Sequence, residues 1–168
     1  MILYPKLYCR SVLDINIDFL NQNNIKGLIL DVDNTLIDTD RNLLEGVIEW
    51  HKNIKSQGIK TIIVSNSNKK EKLDKVSKDL DIEYISFAKK PLKGGFKKAL
   101  KRLELAPENV AAVGDQIFTD VMGANRCKIF PILVEPINEE DLWITKWKRP
   151  LEKKIVDKYL RTKEGMVK

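Results

Sequence analysis

Gly27-Leu28-Ile29-Leu30-Asp31-Val32-Asp33-Asn34-Thr35-Leu36 is the stretch on which the fold of this 168-residue chain turns. Its first four residues read as a short strand buried on both faces, and the run is then cut by two carboxylates one residue apart. Working outward, Thr61–Val64, Ile82–Ile85, Val110–Val113 and Ile129–Val134 repeat the apolar signature of strands. Helical stripes lie between them. Val47, Trp50 and Ile54 make one, closed by Gly58; Leu73, Val76 and Leu80 make a second; Phe96, Ala99, Leu100 and Leu103 make a third. A further helix is expected near Val12–Leu20, ahead of the first strand. This βαβα alternation predicts an α/β fold, a three-layer Rossmann-like arrangement with a mostly parallel sheet and helices on both faces.

Polar residues interrupt the apolar runs at particular places. Asp31 and Asp33 follow the first strand, Ser65 and Asn66 the second, Lys89 and Lys90 the third, and Asp115 the fourth. In an open α/β sheet the crevice beyond the carboxyl ends of the strands is where ligands bind, so these groups converge on one rim. Three carboxylates at one point repel unless a cation lies among them, and hard oxygen ligands select Mg²⁺. A lysine and a hydroxyl beside such a cation suit a phosphoryl group. Beyond the strand end the chain turns, so Asp31 and Asp33 need not point to opposite faces. One can attack phosphorus while the other serves the leaving oxygen as acid and the incoming water as base. The expected partner is a phosphorylated substrate.

These segments resemble the haloacid dehalogenase (HAD) superfamily. Asp31-Val32-Asp33-Asn34-Thr35-Leu36 is similar to its first motif, Val64-Ser65-Asn66 to the second, Lys90-Pro91 to the third, and Gly114-Asp115-Gln116-Ile117-Phe118-Thr119-Asp120 to the fourth. The resemblance implies a phosphatase with Asp31 as nucleophile and Asp33 as acid/base. Ser65 would bind the transferred phosphoryl group and Lys90 neutralise charge. Mg²⁺ would be held by Asp31, the Asp33 carbonyl and Asp115, with Asp120 nearby. Residues 114–125 and the stretch 145–152 are similar to the YqeG-type phosphatases of subclass IIIA, a likeness that covers nearly the whole chain. That subgroup resembles mitochondrial phosphatidylglycerophosphatases, which makes a lipid phosphate a candidate substrate. At Trp147–Pro150 the chain departs from the Asn-Arg pair that the resemblance predicts ahead of Leu151 and Glu152. Asp38–Lys60 has room for about one helix and Ser67–Ser86 for a helix and a strand, so no substantial cap is expected.

Other residues have plainer readings beside the functional ones. Asp120 in a first helical turn would stabilise the helix dipole without further function. Asn34, Thr35 and Asn66 are common turn and cap residues as well as phosphate donors. Lys89 competes with Lys90 and reads as its solvated neighbour. Gly94-Gly95 reads as close packing at a helix start, and His51, on the stripe of Val47, Trp50 and Ile54, as a packing histidine. A receiver-like phosphoacceptor domain would place its acid after the third strand, where this chain has lysines. A non-catalytic module on a dead phosphatase fold would have lost one of Asp31, Asp33, Lys90 or Asp115, and all are present.

The net charge of +6 is unevenly placed. Lys146, Lys148, Arg149, Lys153, Lys154, Lys158, Arg161, Lys163 and Lys168 face only Glu152, Asp157 and Glu164, so the excess falls in residues 146–168 and residues 1–145 are balanced. The expected organisation is therefore a phosphatase domain over 1–145 and a basic helical tail over 146–168. Leu151, Ile155, Val156, Tyr159 and Leu160 fall on one half of a helical wheel and Lys153, Lys154, Lys158 and Arg161 on the other, with Glu152 intruding on the apolar side. Trp143 and Trp147 precede it. Such a tail suits an anionic membrane surface, or equally a helix packed on the sheet with a solvated face. No RNA-recognition motif is present, so nucleic acid is not an expected partner. Cys9 and Cys127 have no zinc or disulfide spacing, which fits a reducing, cytoplasmic setting, peripheral to the membrane if the tail binds it. No feature bears on oligomeric state.

Overall fold

The computed structural model describes residues 1–139 and 147–166, with side chains as far as residue 162. Six strands form one sheet: β1 (Leu7–Cys9), β2 (Gly27–Leu30), β3 (Lys60–Val64), β4 (Tyr84–Ile85), β5 (Val110–Gly114) and β6 (Phe130–Val134). All neighbours are parallel, in the order β1-β6-β5-β2-β3-β4. The helices are α1 (Ile17–Gln22), α2 (Val47–Ser56), α3 (Lys70–Leu80), α4 (Lys93–Leu103), α5 (Met122–Arg126) and α6 (Arg149–Met166).

Strand alternation divides the core in two. Leu28, Leu30, Ile63, Ala111 and Val113 point to one face, where Leu20 of α1, Val47, Trp50 and Ile54 of α2, and Leu73, Val76 and Leu80 of α3 cover them. Ile29, Ile62, Val64, Val110 and Ala112 point to the other, against Phe96, Ala99 and Leu103 of α4 and Ala124 of α5. Each large apolar side chain so buried contributes roughly 1.5–3 kcal/mol, before the entropy of ordering it is counted. Gly95 allows α4 to sit close, because a Cβ there would lie 2.7 Å from the Ala88 Cβ. His51 is buried within α2 and bonds the Thr61 hydroxyl through Nε2 at 2.7 Å, as a packing residue does.

Several elements differ from the sequence reading, among them β4, which holds only Tyr84–Ile85 of the expected Ile82–Ile85, and α5, which no helical stripe predicts. The leading helix is split: Val12–Asp14 is a single 3₁₀ turn capped by Ser11, and α1 begins afresh after Asn16, whose Oδ1 accepts the Phe19 N–H at 2.8 Å. Upstream, Leu7–Cys9 forms an edge strand on β6, with Leu7 opposite Ile132.

The layout places the crevice. From β2 the chain passes outward to β3 and β4, while β5 and β6 lie on its other side, so the winding reverses between β2 and β5. Leu30 pairs with Val113, bringing the two strand ends side by side. No lid covers them from the places where one is commonly inserted. Between β2 and α2 the loop makes only isolated bridges at Asp33–Ile37 and Ile37–Leu43, and between β3 and residue 86 lie only α3 and β4.

Helix α6 packs beside the β6 end. Ile155 and Val156 lie on Ile117, Val121 and Leu133, and the buried Tyr159 meets the Tyr4 ring edge-on at 5.7 Å. Lys153, Lys154, Lys158 and Arg161 are exposed, as are Leu151 and Trp147, whereas Glu152 is buried. Of the residues read in the tail and just before its helix, Trp143, Lys146 and Lys168 lie outside the described residues, and the side chains of Lys163 and Glu164 are not described. Among the described residues no helix is long and apolar enough to cross a membrane.

Candidate active site

At the end of β2 the backbone N–H of Asp31 still donates to Val113 O at 2.9 Å, which fixes its Cα in register with β5. The chain then turns. Thr35, Leu36 and Ile37 all donate to Val32 O, and Asn34 adopts a left-handed φ of 58° that an Asn tolerates better than most residues. This turn buries Asp31 and leaves Asp33 exposed. The Asp33 carboxylate, with about half its side chain in solvent, accepts a bond from Lys72 Nζ of α3 at 2.6 Å.

Lys90 arrives on the loop after β4, which is laced to the end of β3. Phe87 N donates to Ser67 O, and Ala88 N to Ser65 O, both at 2.9 Å. Asn66 clasps the lysine backbone from both sides, accepting from Lys90 N at 2.6 Å and donating to Lys90 O at 3.1 Å. Phe87 and Lys89 take left-handed φ values of 47° and 55°, an arrangement of roughly 1–3 kcal/mol each that the surrounding bonds hold in place. Lys89 is exposed over the Phe87 ring; Lys90 is buried. Its Nζ donates to Asp31 Oδ1 at 2.8 Å and to Asp120 Oδ1 at 2.7 Å.

Asp115 follows β5, and Asp120 sits in the π turn Ile117–Val121 that comes next. Such turns recur at functional sites, since the extra residue re-aims a side chain. Asp120 Oδ2 accepts the Gln116 N–H at 3.2 Å, and its carboxyl group occupies the space a side chain at position 114 would need. Gly114 is therefore a requirement of the site. Asp31, Asp115 and Asp120 each bring an oxygen within 4.8 Å of the others, all three being buried.

The electrostatics follow from that crowding. Asp31 is pushed up to about 7, chiefly by burial, with the Lys90 ammonium working against it and Asp120 adding to it. Asp115 is held well above the usual carboxylate range by burial and by Asp31, while Arg149 pulls it down. For Lys90, burial alone would lower the value, but Asp120 and Asp31 together raise it above that of an ordinary lysine. Among the described residues Asp31 and Asp120 thus share the Lys90 ammonium, while Asp115 and Glu152 share the Arg149 guanidinium.

Of the residues expected from the sequence, Asp31, Lys90, Asp115 and Asp120 form one buried cluster, and Ser65 is buried at the end of β3 beside the lysine loop. The Asn66 side chain spans the Lys90 backbone, and Asn34 Oδ1 accepts the Asn138 N–H at 3.1 Å. Thr35 Oγ1 and Asp115 Oδ1 are buried without a hydrogen-bond partner among the described residues. Three residues of the site escaped the sequence reading: Lys72 on Asp33, Arg149 on Asp115, and Glu152 on Arg149. Lys72 carries no local signal. Arg149 and Glu152 stood in a stretch already read as a basic tail.

A family model described as haloacid dehalogenase-like hydrolase matches residues 40–128. The probable phosphatase YqeG of Bacillus subtilis (strain 168) is 38% identical over 153 residues, covering 90% of this chain and 88% of that protein. Among solved structures, an uncharacterized protein from Listeria monocytogenes serotype 4b superposes with a TM-score of 0.57 at 22% identity, over 70% of this chain and 85% of that one. The 3-deoxy-D-manno-octulosonate 8-phosphate phosphatase from Yersinia pestis gives a TM-score of 0.53 at 17% identity, over 80% of this chain and 75% of its own. At those identities the two structures speak to the fold alone.

Proposed function

The chain belongs to the haloacid dehalogenase-like hydrolases and is a phosphatase of that family, and on that premise we propose that it cleaves a phosphate monoester through an aspartyl-phosphate formed on Asp31. The observation that carries the reading is the position of Asp31 at the winding reversal, bonded to a buried lysine and grouped with two more carboxylates. In the first step an Asp31 oxygen bonds to phosphorus, the ester P–O bond breaks, and Asp33 gives a proton to the departing alkoxide oxygen. In the second, Asp33 takes a proton from water, the water oxygen bonds to phosphorus, and the acyl-phosphate P–O bond breaks, returning the Asp31 carboxylate and releasing inorganic phosphate. Asp33 must leave Lys72 to do this, and about half of its side chain already stands in solvent. Lys90 holds the nucleophile in place and offsets charge gathering on the phosphoryl oxygens, with the Ser65 hydroxyl as a further donor.

The residues fit Mg²⁺. The donor set is all oxygen, the buried carboxylates crowd one another, and among the described residues Asp115 Oδ1 is a buried acceptor without a hydrogen-bond partner. Asp31 and Asp115, with the Asp33 carbonyl, would hold it; both Asp120 oxygens are already engaged, by Lys90 and Gln116. When bound, the cation supplies charge neutralisation of the phosphoryl oxygens and of the nucleophile. Asp31→Asn, full length and checked for native circular dichroism, should lower turnover of a generic phosphate ester about 10³-fold or more. Near wild-type hydrolysis by that variant, free of contaminating phosphatase, would exclude covalent attack by Asp31.

For the substrate, one observation favours an amphiphilic phosphate such as a phosphatidylglycerophosphate-like lipid. Trp147 and Leu151 are exposed at 71% and 49% on either side of Arg149, and Lys153, Lys154 and Lys158 are exposed just beyond. An uncapped site beside an apolar and basic surface suits a phosphate presented at an anionic interface.

A further inference from the structure

The first residue of α6 reaches the catalytic centre, although nothing in the chemistry above requires it there. The Arg149 guanidinium is spread over Asp115: Nη1 donates to the backbone carbonyl at 2.8 Å and Nη2 to Oδ2 at 2.5 Å. Nη1 also donates to Glu152 Oε2, one helical turn on, at 3.3 Å. Glu152 is buried at 5% exposure, and its other oxygen accepts the Phe118 N–H at 3.2 Å. The guanidinium is therefore braced from behind by a carboxylate that is itself tied to the turn carrying Asp120.

This arrangement divides the two oxygens of Asp115 between different tasks. Oδ2 is taken by Arg149, while Oδ1 stays buried and without a partner among the described residues. Because the same guanidinium grips both the carboxylate and the carbonyl of one residue, it fixes the carboxylate plane as well as its position. A carboxylate that ligates a cation through one oxygen is commonly oriented by a hydrogen bond to the other. A clasp whose only task was to attach α6 to the core would not need to be aimed at a carboxylate that, among the described residues, has an unspent buried oxygen.

We infer that Arg149, braced by Glu152, is a positioning residue that holds Asp115 with Oδ1 turned toward the cation site, so that the N-terminal turn of α6 forms the outer wall of that site. The inference rests on the cation-site reading above and extends it to two residues of the tail. Lysine cannot reproduce the grip, since one ammonium does not span a carbonyl and a carboxylate as a planar fork does.

The test uses the full-length chain and Mn²⁺, whose free concentration is read by electron paramagnetic resonance during titration. Arg149→Lys should raise the Mn²⁺ dissociation constant by about 10–100-fold, the scale on which removing such outer contacts acts. Glu152→Gln keeps the shape and the Phe118 acceptor, and should shift the constant in the same direction by less. Asp115→Asn should abolish binding. Near-ultraviolet circular dichroism establishes that each variant is native, and Glu152→Gln carries the test should Arg149→Lys fail to fold. Wild-type Mn²⁺ affinity in the native variants, with binding lost in Asp115→Asn, would overturn the inference and leave the cation site standing. A wild-type chain that retains no Mn²⁺ would overturn both.

Discussion

Replacing Lys90 with Met removes the charge at the centre of the cluster while keeping most of the side-chain volume, so packing changes little. The Lys90 side chain is 3% exposed, and its loss gives up bonds of 2.8 Å to Asp31 and 2.7 Å to Asp120, whose side chains are 10% and 5% exposed. A hydrogen bond to a charged group contributes about 1.5–3 kcal/mol, so the two together contribute about 3–6 kcal/mol. Removing one partner from a buried ion pair costs about 3–5 kcal/mol by a separate line of evidence, and the two ranges agree. Protonation limits the loss, because Asp31 already stands near about 7 with Lys90 in place and takes up a proton more readily without it. The expected destabilisation at neutral pH in EDTA is therefore about 3–5 kcal/mol, a large share of the 5–15 kcal/mol that a domain commonly has. Urea unfolding followed by circular dichroism measures it directly. Adding excess Mg²⁺ should return part of the loss, because a bound cation then offsets the same carboxylates. A Lys90→Met chain within about 1 kcal/mol of wild type in EDTA would show that Lys90 is not their counter-charge, since that lies below even a single bond of this kind.

Two further expectations concern acidity and the exposed face of α6. Asp31 and Asp115 are raised in the folded state above the ordinary value near 3.9, so between about pH 4 and 7 the native chain binds more protons than the unfolded one. The contribution of Asp31 is therefore complete below about pH 4 and is lost as pH rises through about 7, and that of Asp115 is lost in the same direction; in EDTA the urea midpoint of wild type should fall over that window relative to Asp31→Asn, and excess Mg²⁺ should flatten the difference. A wild-type midpoint that climbs relative to Asp31→Asn over the same window would contradict it. Separately, wild type should sediment with anionic vesicles at low salt and be released at high salt, whereas the triple change Lys153→Glu, Lys154→Glu and Lys158→Glu should stay in the supernatant. Wild type remaining in the supernatant at low salt would dispose of the membrane reading.

What could be read from residues alone was whatever has a local cause. Gly27–Leu30 and Val110–Val113 announced themselves because strands covered on both faces must be apolar throughout. Leu73, Val76 and Leu80 marked α3 because one face of it is buried. Asp31 and Asp115 were legible because a carboxylate at the end of such a strand has no packing reason to be there. Leu7–Cys9 was not, being three residues at a half-covered edge where alternation has no length in which to show. The division of the leading helix turned on two successive caps, Ser11 and Asn16, each an ordinary polar residue in sequence. Arg149 was hidden by composition. Among so many lysines and arginines, the one that turns inward is chosen by Asp115 and Glu152, which only tertiary structure brings to it.

The pairing of β1 with β6 also bears on the order in which the molecule can be assembled. Synthesis yields Leu7–Cys9 well before Phe130–Val134, the strand partner of β1 among the described residues. Until β6 is made, the N-terminal segment has no template, and its backbone donors and acceptors face water or whatever other chain comes near. A contact so distant along the chain also carries a large loop-closure cost, so this edge should be among the last parts to dock and the slowest to be protected from amide exchange during refolding. The strand's brevity, and the charges of Lys6 and Arg10 flanking it, are what keep that waiting edge from recruiting a neighbour.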